Sequence, residues 1–303
     1  MPIDPSVIDN PRSGRLRKAL DLADSRFRRR FGRFLVEGPQ SVREALSWDS
    51  DAMRDVFVAD DLMDDPDTDG GPVGGSSRVS ILVDRAVELG IHVHPVDSGL
   101  MGRVASEAQG IFSVCDIPTD ASMNPQVGAD IPGRSLVSAF WQIRDPGNAG
   151  AVIRVADAAG CSVVVFVDDC VDPYSPKVVR SSAGSLFHIP VLRMGTEKFL
   201  EWSRTRPVPM VAADVHGTDG RPARMLPDVV DEGAVASGGS VIFGNEARGL
   251  PDDILDRVDT VVSIPMYGRA ESMNLATSAA VMLFTMAMSG RGMSSHVGTI
   301  ERR

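Results

Sequence analysis

The sequence predicts an α/β protein of two domains, and three observations carry that prediction. Short apolar runs rich in Val, Ile and Phe alternate with segments of helical periodicity along nearly the whole chain, the pattern of strands and crossover helices. The alternation pauses at 118–134, where Pro118, Pro125, Gly128, Pro132 and Gly133 sit among few apolar residues, as in a linker. A chain of 303 residues is also long enough for two ordinary cores. The expected division is 1–117, a linker 118–134, and 135–303.

In the first half, residues 15–31 suit a basic helix and 34–38 a short strand ending at Gly38. Residues 39–46 place Val42, Ala45 and Leu46 on one helical face, and 55–59 is a second strand. Asp, Gly and Pro dominate 64–77, which has the composition of an inserted acidic loop. A helix near 83–89, a strand at 91–96 and a helix near 98–105 follow. In the second half, strands are expected at 135–140, 162–167, 189–192, 209–213, 240–243 and 260–264. Helices are expected at 149–159, 177–184 and 196–205, and from about 274 onward. Short strands joined by helical crossovers imply an open parallel sheet covered on both sides.

Composition narrows the class. Hydrophobic content of 43% and charged content of 24% are those of a soluble globular protein. The most apolar stretch, 275–288, is shorter than the roughly 18 residues of a membrane span and reads as a buried core helix. Residues 2–18 are polar and lack the apolar core of a secretory signal, while Asp4, Asp9 and Asp21 do not suit a transit peptide. Cys115, Cys161 and Cys170 are odd in number and unpaired in spacing. They favour buried thiols in a reducing cytoplasm over a zinc site or a disulfide framework. No metal and no membrane partner is expected.

The formal charge of −10 opposes nucleic-acid binding, but its distribution does not. Arg12, Arg15, Arg17, Lys18, Arg26, Arg28, Arg29, Arg30 and Arg33 crowd the N-terminus, whereas acid collects elsewhere, notably at 60–67. A basic arm on an acidic body is one reading, and a solvated helix face is the other.

Three glycine-bearing turns flank apolar runs in the second half. In the first, Asp145-Pro-Gly-Asn148 delivers a helix that Asn148 is suited to cap, with Val152, Val155, Ala156 and Ala159 as its buried stripe and Arg154 projecting off it. A guanidinium on the first turns of a helix opposes the macrodipole and calls for an anionic partner, such as a phosphate. The second turn runs from Phe243 through Gly244 and Glu246 to Gly249 and Leu250, with a helix start at Asp252 and Asp253. Such a turn lets a ligand approach bare main chain. In the third, Ile264-Pro-Met266 ends a strand, Gly268 breaks it, and Ser272-Met273-Asn274 opens the apolar helix as caps or as chemistry. Each turn alone has an ordinary structural reading. No glycine pattern of a dinucleotide fold or a P-loop is present.

Together and in order, these segments resemble the three signature motifs of the SpoU (TrmH-like) RNA 2′-O-methyltransferases. The stretch 174–184 followed by Ile189-Pro190 is similar to the family's sequence between its first two motifs, and 33–45 is similar to the substrate-binding domain of one large branch. Met273 stands where Leu is usual, a volume-conserving change. The resemblance implies a SPOUT-type C-terminal domain with a trefoil knot and an N-terminal domain like a ribosomal RNA-binding protein. It implies S-adenosylmethionine as cofactor, with Gly244, Ile264, Met273, Phe243, Met266 and Leu250 at cofactor-binding positions, and a homodimer. Arg154, Asn148, Glu246, Ser272 and Asn274 are implied in catalysis, and RNA contacts fall to Arg28, Arg29, Arg30, Arg33 and Arg180. The implied reaction is methylation of a ribose 2′-hydroxyl, with ribosomal (23S) RNA favoured and a transfer RNA ribose as the alternative substrate. A non-catalytic RNA-binding or ribosome-assembly factor on the same scaffold is the reading of a different class.

Overall fold

The computed structural model describes residues 2–63, 75–119 and 135–289. Most of the expected acidic loop and linker therefore lies outside the described residues. The chain divides into two units, and the first takes residues 144–157 and 170–191 in addition to the N-terminal third.

In this first unit the single helix expected over 15–31 is two helices, α1 (Gly14–Leu20) and α2 (Ser25–Phe31). Between them, Asp24 leaves the helical region, and its side chain accepts from the Arg26 backbone N–H at 2.8 Å, capping α2. Gly32, at φ 62°, ends α2 in the left-handed conformation that a side chain would strain. Then follow β1 (Arg33–Glu37), α3 (Pro39–Trp48), β2 (Met53–Ala59), α4 (Gly75–Glu88), β3 (His92–Val96), α5 (Ser98–Val104) and β4 (Ile111–Asp116).

The sheet order is β1-β4-β2-β3. The strand β4 is absent from the sequence reading, yet it is central and antiparallel to both β1 and β2, while β2 and β3 are parallel. Side chains alternate across the sheet. Phe34, Val36, Val56, Val58 and Ile111 face α3 and α4, whereas Leu35, Phe57, Phe112 and Val114 pack with Leu16, Leu22 and Leu100. Both faces are thus dry, each large aliphatic side chain contributing about 1.5–3 kcal/mol of burial.

Two later helices join this unit. α6 (Pro146–Ala159) buries Val152, Ile153 and Ala156, with Ala159 also inside. Val155 is only half-buried, so Ile153 takes its expected place in the stripe. α7 (Pro176–Ser181) buries Val178 and Val179.

The second unit holds β5 (Ser135–Trp141), β6 (Val163–Val167), β7 (Val191–Met194), α8 (Thr196–Arg204), β8 (Met210–Ala213), β9 (Arg224–Met225), α9 (Leu226–Asp231), β10 (Gly238–Phe243), α10 (Asp252–Leu255), β11 (Thr260–Ser263) and α11 (Leu275–Ser289). Its seven-stranded sheet runs β7-β6-β5-β10-β8-β11-β9. The pairings of β5 with β6 and β10, of β8 with β10 and β11, and of β9 with β11 are all parallel, as expected. From β5 the chain builds outward on one side and then returns to the other, so the β5–β10 junction is a topological switch point.

α8 and α10 cover one face through Phe199, Leu200, Ile254 and Leu255. α11 lies on β10 so closely that a Cβ at Gly239 would come within 2.6 Å of Met286 Cε. The expectation of a fully buried α11 needs correction. Leu275, Ala279, Met282, Leu283, Met286 and Ala287 are buried, but Val281, Phe284 and Met288 form an exposed apolar stripe.

Candidate active site

In the second unit, β5, β8, β10 and β11 end at one edge of a parallel sheet, the edge at which open α/β sheets bind ligands. The turn after β10 is tightly packed. Phe243 is buried and stacks on Phe140 at 5.1 Å, fixing the strand end. A Cβ on Gly244 would lie 2.3 Å from the Gly249 carbonyl carbon and 2.6 Å from the Leu250 nitrogen, so only glycine fits. Leu250 is itself in the core, hence Phe243 and Leu250 offer a ligand main chain and no side chain.

The turn is held by Asn245, which the sequence reading passed over. Its backbone N–H donates to Gly249 O at 3.1 Å and its carbonyl accepts from the Gly249 N–H at 2.8 Å. Its buried side chain donates to Gln142 O at 2.8 Å and accepts from the Ala247 N–H at 3.0 Å. Gln142, at φ 52°, also accepts from the Arg248 guanidinium through Oε1 at 2.8 Å. A third loop contributes Asp214, whose Oδ1 accepts from the His216 and Gly217 N–H groups, at 3.0 Å each. A Cβ at Gly249 would meet Asp214 Oδ2 at 3.3 Å. A polar residue after a strand was the available signal for Asn245 and Asp214. Glu246 is exposed on the turn.

After β11 the chain runs without regular structure to α11. Ile264, Pro265 and Met273 are half-buried, and Met266 and Ser272 are exposed. Asn274 caps α11, its Oδ1 accepting from the Ala276 N–H at 2.9 Å. Capping therefore explains Asn274 but not Ser272.

The first motif lies in the other unit. α6 begins at Pro146, earlier than expected, and its cap is Asp145: Oδ1 accepts from the Asn148 N–H at 2.7 Å. The expectation that Asn148 caps the helix is thus corrected, because Pro146 at the first helical position puts Asn148 inside the first turn. Arg154 is exposed, and its side chain pairs with no described residue. It sits in the third turn, past the reach of the macrodipole, so the helix dipole does not call for an anion at Arg154. A Cβ on Gly150 would lie 1.9 Å from Ser181 Oγ, which registers α6 against α7.

Of the arginines expected at RNA, Arg28 is not available. It is 3% exposed, donates to Asp172 at 2.7 and 2.8 Å and to the carbonyls of Leu22 and Ala23 at 2.8 Å, and so ties α2 into the unit. Arg180 is ion-paired with Glu37, and Arg33 with Asp116 at 3.1 Å. Arg29 and Arg30 are exposed. The three cysteines are buried and in no disulfide, the Cys115 thiol being pushed up to about 12 by desolvation. Among the described residues no cluster of metal-ligating side chains occurs and no helix is long and apolar enough to cross a membrane.

The sequence profile of the SpoU rRNA Methylase family matches residues 135–284, which contain all three motifs. The chain belongs to the SpoU family. Among its relatives, it is 28% identical over 256 residues to the 23S rRNA (guanosine(2553)-2′-O)-methyltransferase RlmP of Bacillus subtilis, covering 83% of this chain and 87% of that one. It is 33% identical over 180 residues to the 23S rRNA (uridine(2479)-2′-O)-methyltransferase of Streptomyces viridochromogenes, covering 57% and 58%. The crystal structure of the SpoU methyltransferase AviRb from Streptomyces viridochromogenes with AdoMet matches at 25% identity and a TM-score of 0.72, over 91% of this chain and 98% of that chain. A solved SpoU methyltransferase thus shares the fold over nearly the whole chain.

Proposed function

We propose that this SpoU protein transfers a methyl group from S-adenosylmethionine to a ribose 2′-hydroxyl of RNA, ribosomal RNA being favoured over transfer RNA. The observation that carries the proposal is the second motif: a turn at the carboxyl edge of a parallel sheet, packed so tightly at Gly244 that no side chain fits there, with Phe243 and Leu250 buried beside it. A planar adenine that bonds to backbone groups suits such a surface, and the half-buried Ile264 and Met273 supply apolar contact beside it. The donor set therefore fits the cofactor, which supplies an electrophilic methyl on a sulfonium.

The remaining chemistry falls to this chain's side chains. A ribose hydroxyl is a poor nucleophile while protonated, so it must be oriented and relieved of its proton. Arg154 serves as an orienting group for a substrate phosphate and hydroxyl, its planar fork of N–H donors matching both, and the proton passes to phosphate or water. Asn148, six residues before it on α6, would steady the same substrate. Glu246, Ser272 and Asn274 would hold the cofactor loops, Asn274 through its cap on α11. Only RNA carries the 2′-hydroxyl.

We further infer a homodimer through the Val281, Phe284 and Met288 stripe, a trefoil knot in the C-terminal part, a division at 118–134, and a cytoplasmic location. The deciding experiment is Arg154→Ala. Titration calorimetry is expected to give wild-type affinity for S-adenosylmethionine, with single-turnover methyl transfer reduced at least about 100-fold. A wild-type transfer rate in that variant removes Arg154 from the reaction. Failure of the wild-type protein to bind the cofactor leaves only the RNA-binding factor.

A further inference from the structure

A groove beside α1 in the first unit has no part in the methyl-transfer chemistry. Its volume is about 540 Å³, a size usual for small-ligand sites, and it is lined by Arg15, Lys18 and Arg33, by Asp55 and by the rings of Phe31 and Phe57. Phe57 is buried and forms part of the floor, whereas Phe31 is 47% exposed. Lys18 is exposed and pairs with no described residue. Arg15 is held by Asp4 at 2.5 Å and Arg33 by Asp116 at 3.1 Å, with side chains 54% and 44% exposed, respectively. Each guanidinium has five N–H donors, so both keep capacity for a further acceptor. Asp55 bonds to His94 Nε2 at 2.8 Å, and that bond holds its carboxyl below the usual range, leaving an ionised group that only accepts.

A simple anion would need the cations but not the aromatic rim, and an apolar ligand would need the rim but not the cations. A nucleotide uses both, through its phosphate and the face of its base. Asp55 adds a choice among bases. Guanine presents two N–H donors side by side on its Watson–Crick edge, which one carboxylate accepts together, whereas uracil flanks its single N–H with two carbonyls that a carboxylate repels. We propose that this groove holds one unpaired guanine nucleotide of the RNA, with its base against Phe31, its phosphate at Lys18, Arg15 and Arg33, and its edge on Asp55. The proposal rests on the reading of the protein as an RNA methyltransferase and names where that RNA is gripped.

The test is fluorescence anisotropy of the full chain with two labelled single-stranded RNA octamers, all-uridine and the same with one central guanosine, at fixed salt. The guanosine octamer should bind the wild type at least about fivefold more tightly. Phe31→Ala should weaken it by roughly 5- to 150-fold, the span of base stacking on an aromatic ring. Lys18→Ala should weaken both octamers alike, and Asp55→Asn should erase the difference between them. Guanosine monophosphate should displace the guanosine octamer from the wild type. Equal binding of the two octamers, wild-type affinity in Phe31→Ala or Lys18→Ala, or no displacement by saturating nucleotide overturns the groove. Thermal melting checks each fold, and the exposed Lys18 keeps the test readable if Asp55→Asn unfolds. Methyl transfer to total ribosomal RNA separates the two claims. Transfer with an unchanged KM in Phe31→Ala defeats the groove alone, whereas no transfer by the wild type defeats the methyltransferase reading beneath it.

Discussion

Gly244 and Arg28 stand at opposite ends of what residue type can reveal. A glycine after an apolar strand can be an ordinary turn, yet here the Gly249–Leu250 backbone leaves no room for one more carbon. Gly244→Ala should therefore force that backbone apart, costing about 1–3 kcal/mol of stability, and should weaken cofactor binding more than it lowers the melting temperature. Calorimetric titration beside a thermal melt distinguishes the two effects, and unchanged cofactor affinity would remove Gly244 from the pocket. Arg28 shows the reverse case. In sequence it is one of a run of cations, but in the fold it is the buried member that meets Asp172 and two carbonyls. Nothing local distinguishes Arg28 from Arg29. Its partner lies 144 positions away, and only tertiary structure brings them together. The same limit explains Asn245, whose importance lies in the carbonyl of Gln142, 103 positions earlier.

Among the elements, those with one wet face were legible. α3 and α8 follow their apolar periodicity, because alternate burial and exposure writes a period into the chain. β4 has no wet face, its six residues being buried or nearly so, and a short run without a period cannot be told from a loop beside a helix. The break between α1 and α2 was hidden for another reason: Asp24 reads as one acid among bases until its side chain is seen to cap. Hydrogen bonding to the Arg26 side chain and N–H lowers the Asp24 pKa from 3.8 to about 2. The folded value lies below the unfolded one, so the cap's charge-dependent stabilisation is complete above about pH 5 and is lost as pH falls through about 2. Asp24→Asn keeps an acceptor but cannot titrate. Urea midpoints of the two proteins should differ at pH 6 and draw together as pH falls through about 2, and a difference constant with pH would contradict the assignment.

For the whole molecule, the fold class and the parallel C-terminal sheet were readable from alternation, while the allocation of chain to units was not. Residues 144–157 and 170–191 belong with the first unit, although they fall between strands of the second sheet in sequence. The acidic net charge is likewise divided: several N-terminal arginines are spent on Asp4, Asp24, Asp116 and Asp172, so the positive surface is smaller than a count suggests. Oligomeric state belongs to this scale as well. The Val281, Phe284 and Met288 stripe is proposed to be covered by a second copy, and Phe284→Glu should then convert a dimer to a monomer in sedimentation velocity. A wild-type protein that sediments as a monomer at micromolar concentration would place that stripe elsewhere in the protein's business.

The close approach of Gly150 to Ser181 has a consequence for how turnover could drift. Arg154 stands one turn beyond Gly150 on α6, so the thickness of a single atom at that crossing sets where the guanidinium stands. Such a position behaves as a vernier. Under the role proposed for Arg154, a change there leaves the proposed substrate- and cofactor-holding groups intact, yet shifts the alignment of the guanidinium with its substrate. Relatives with identical signature motifs could therefore differ in speed through one helix crossing alone.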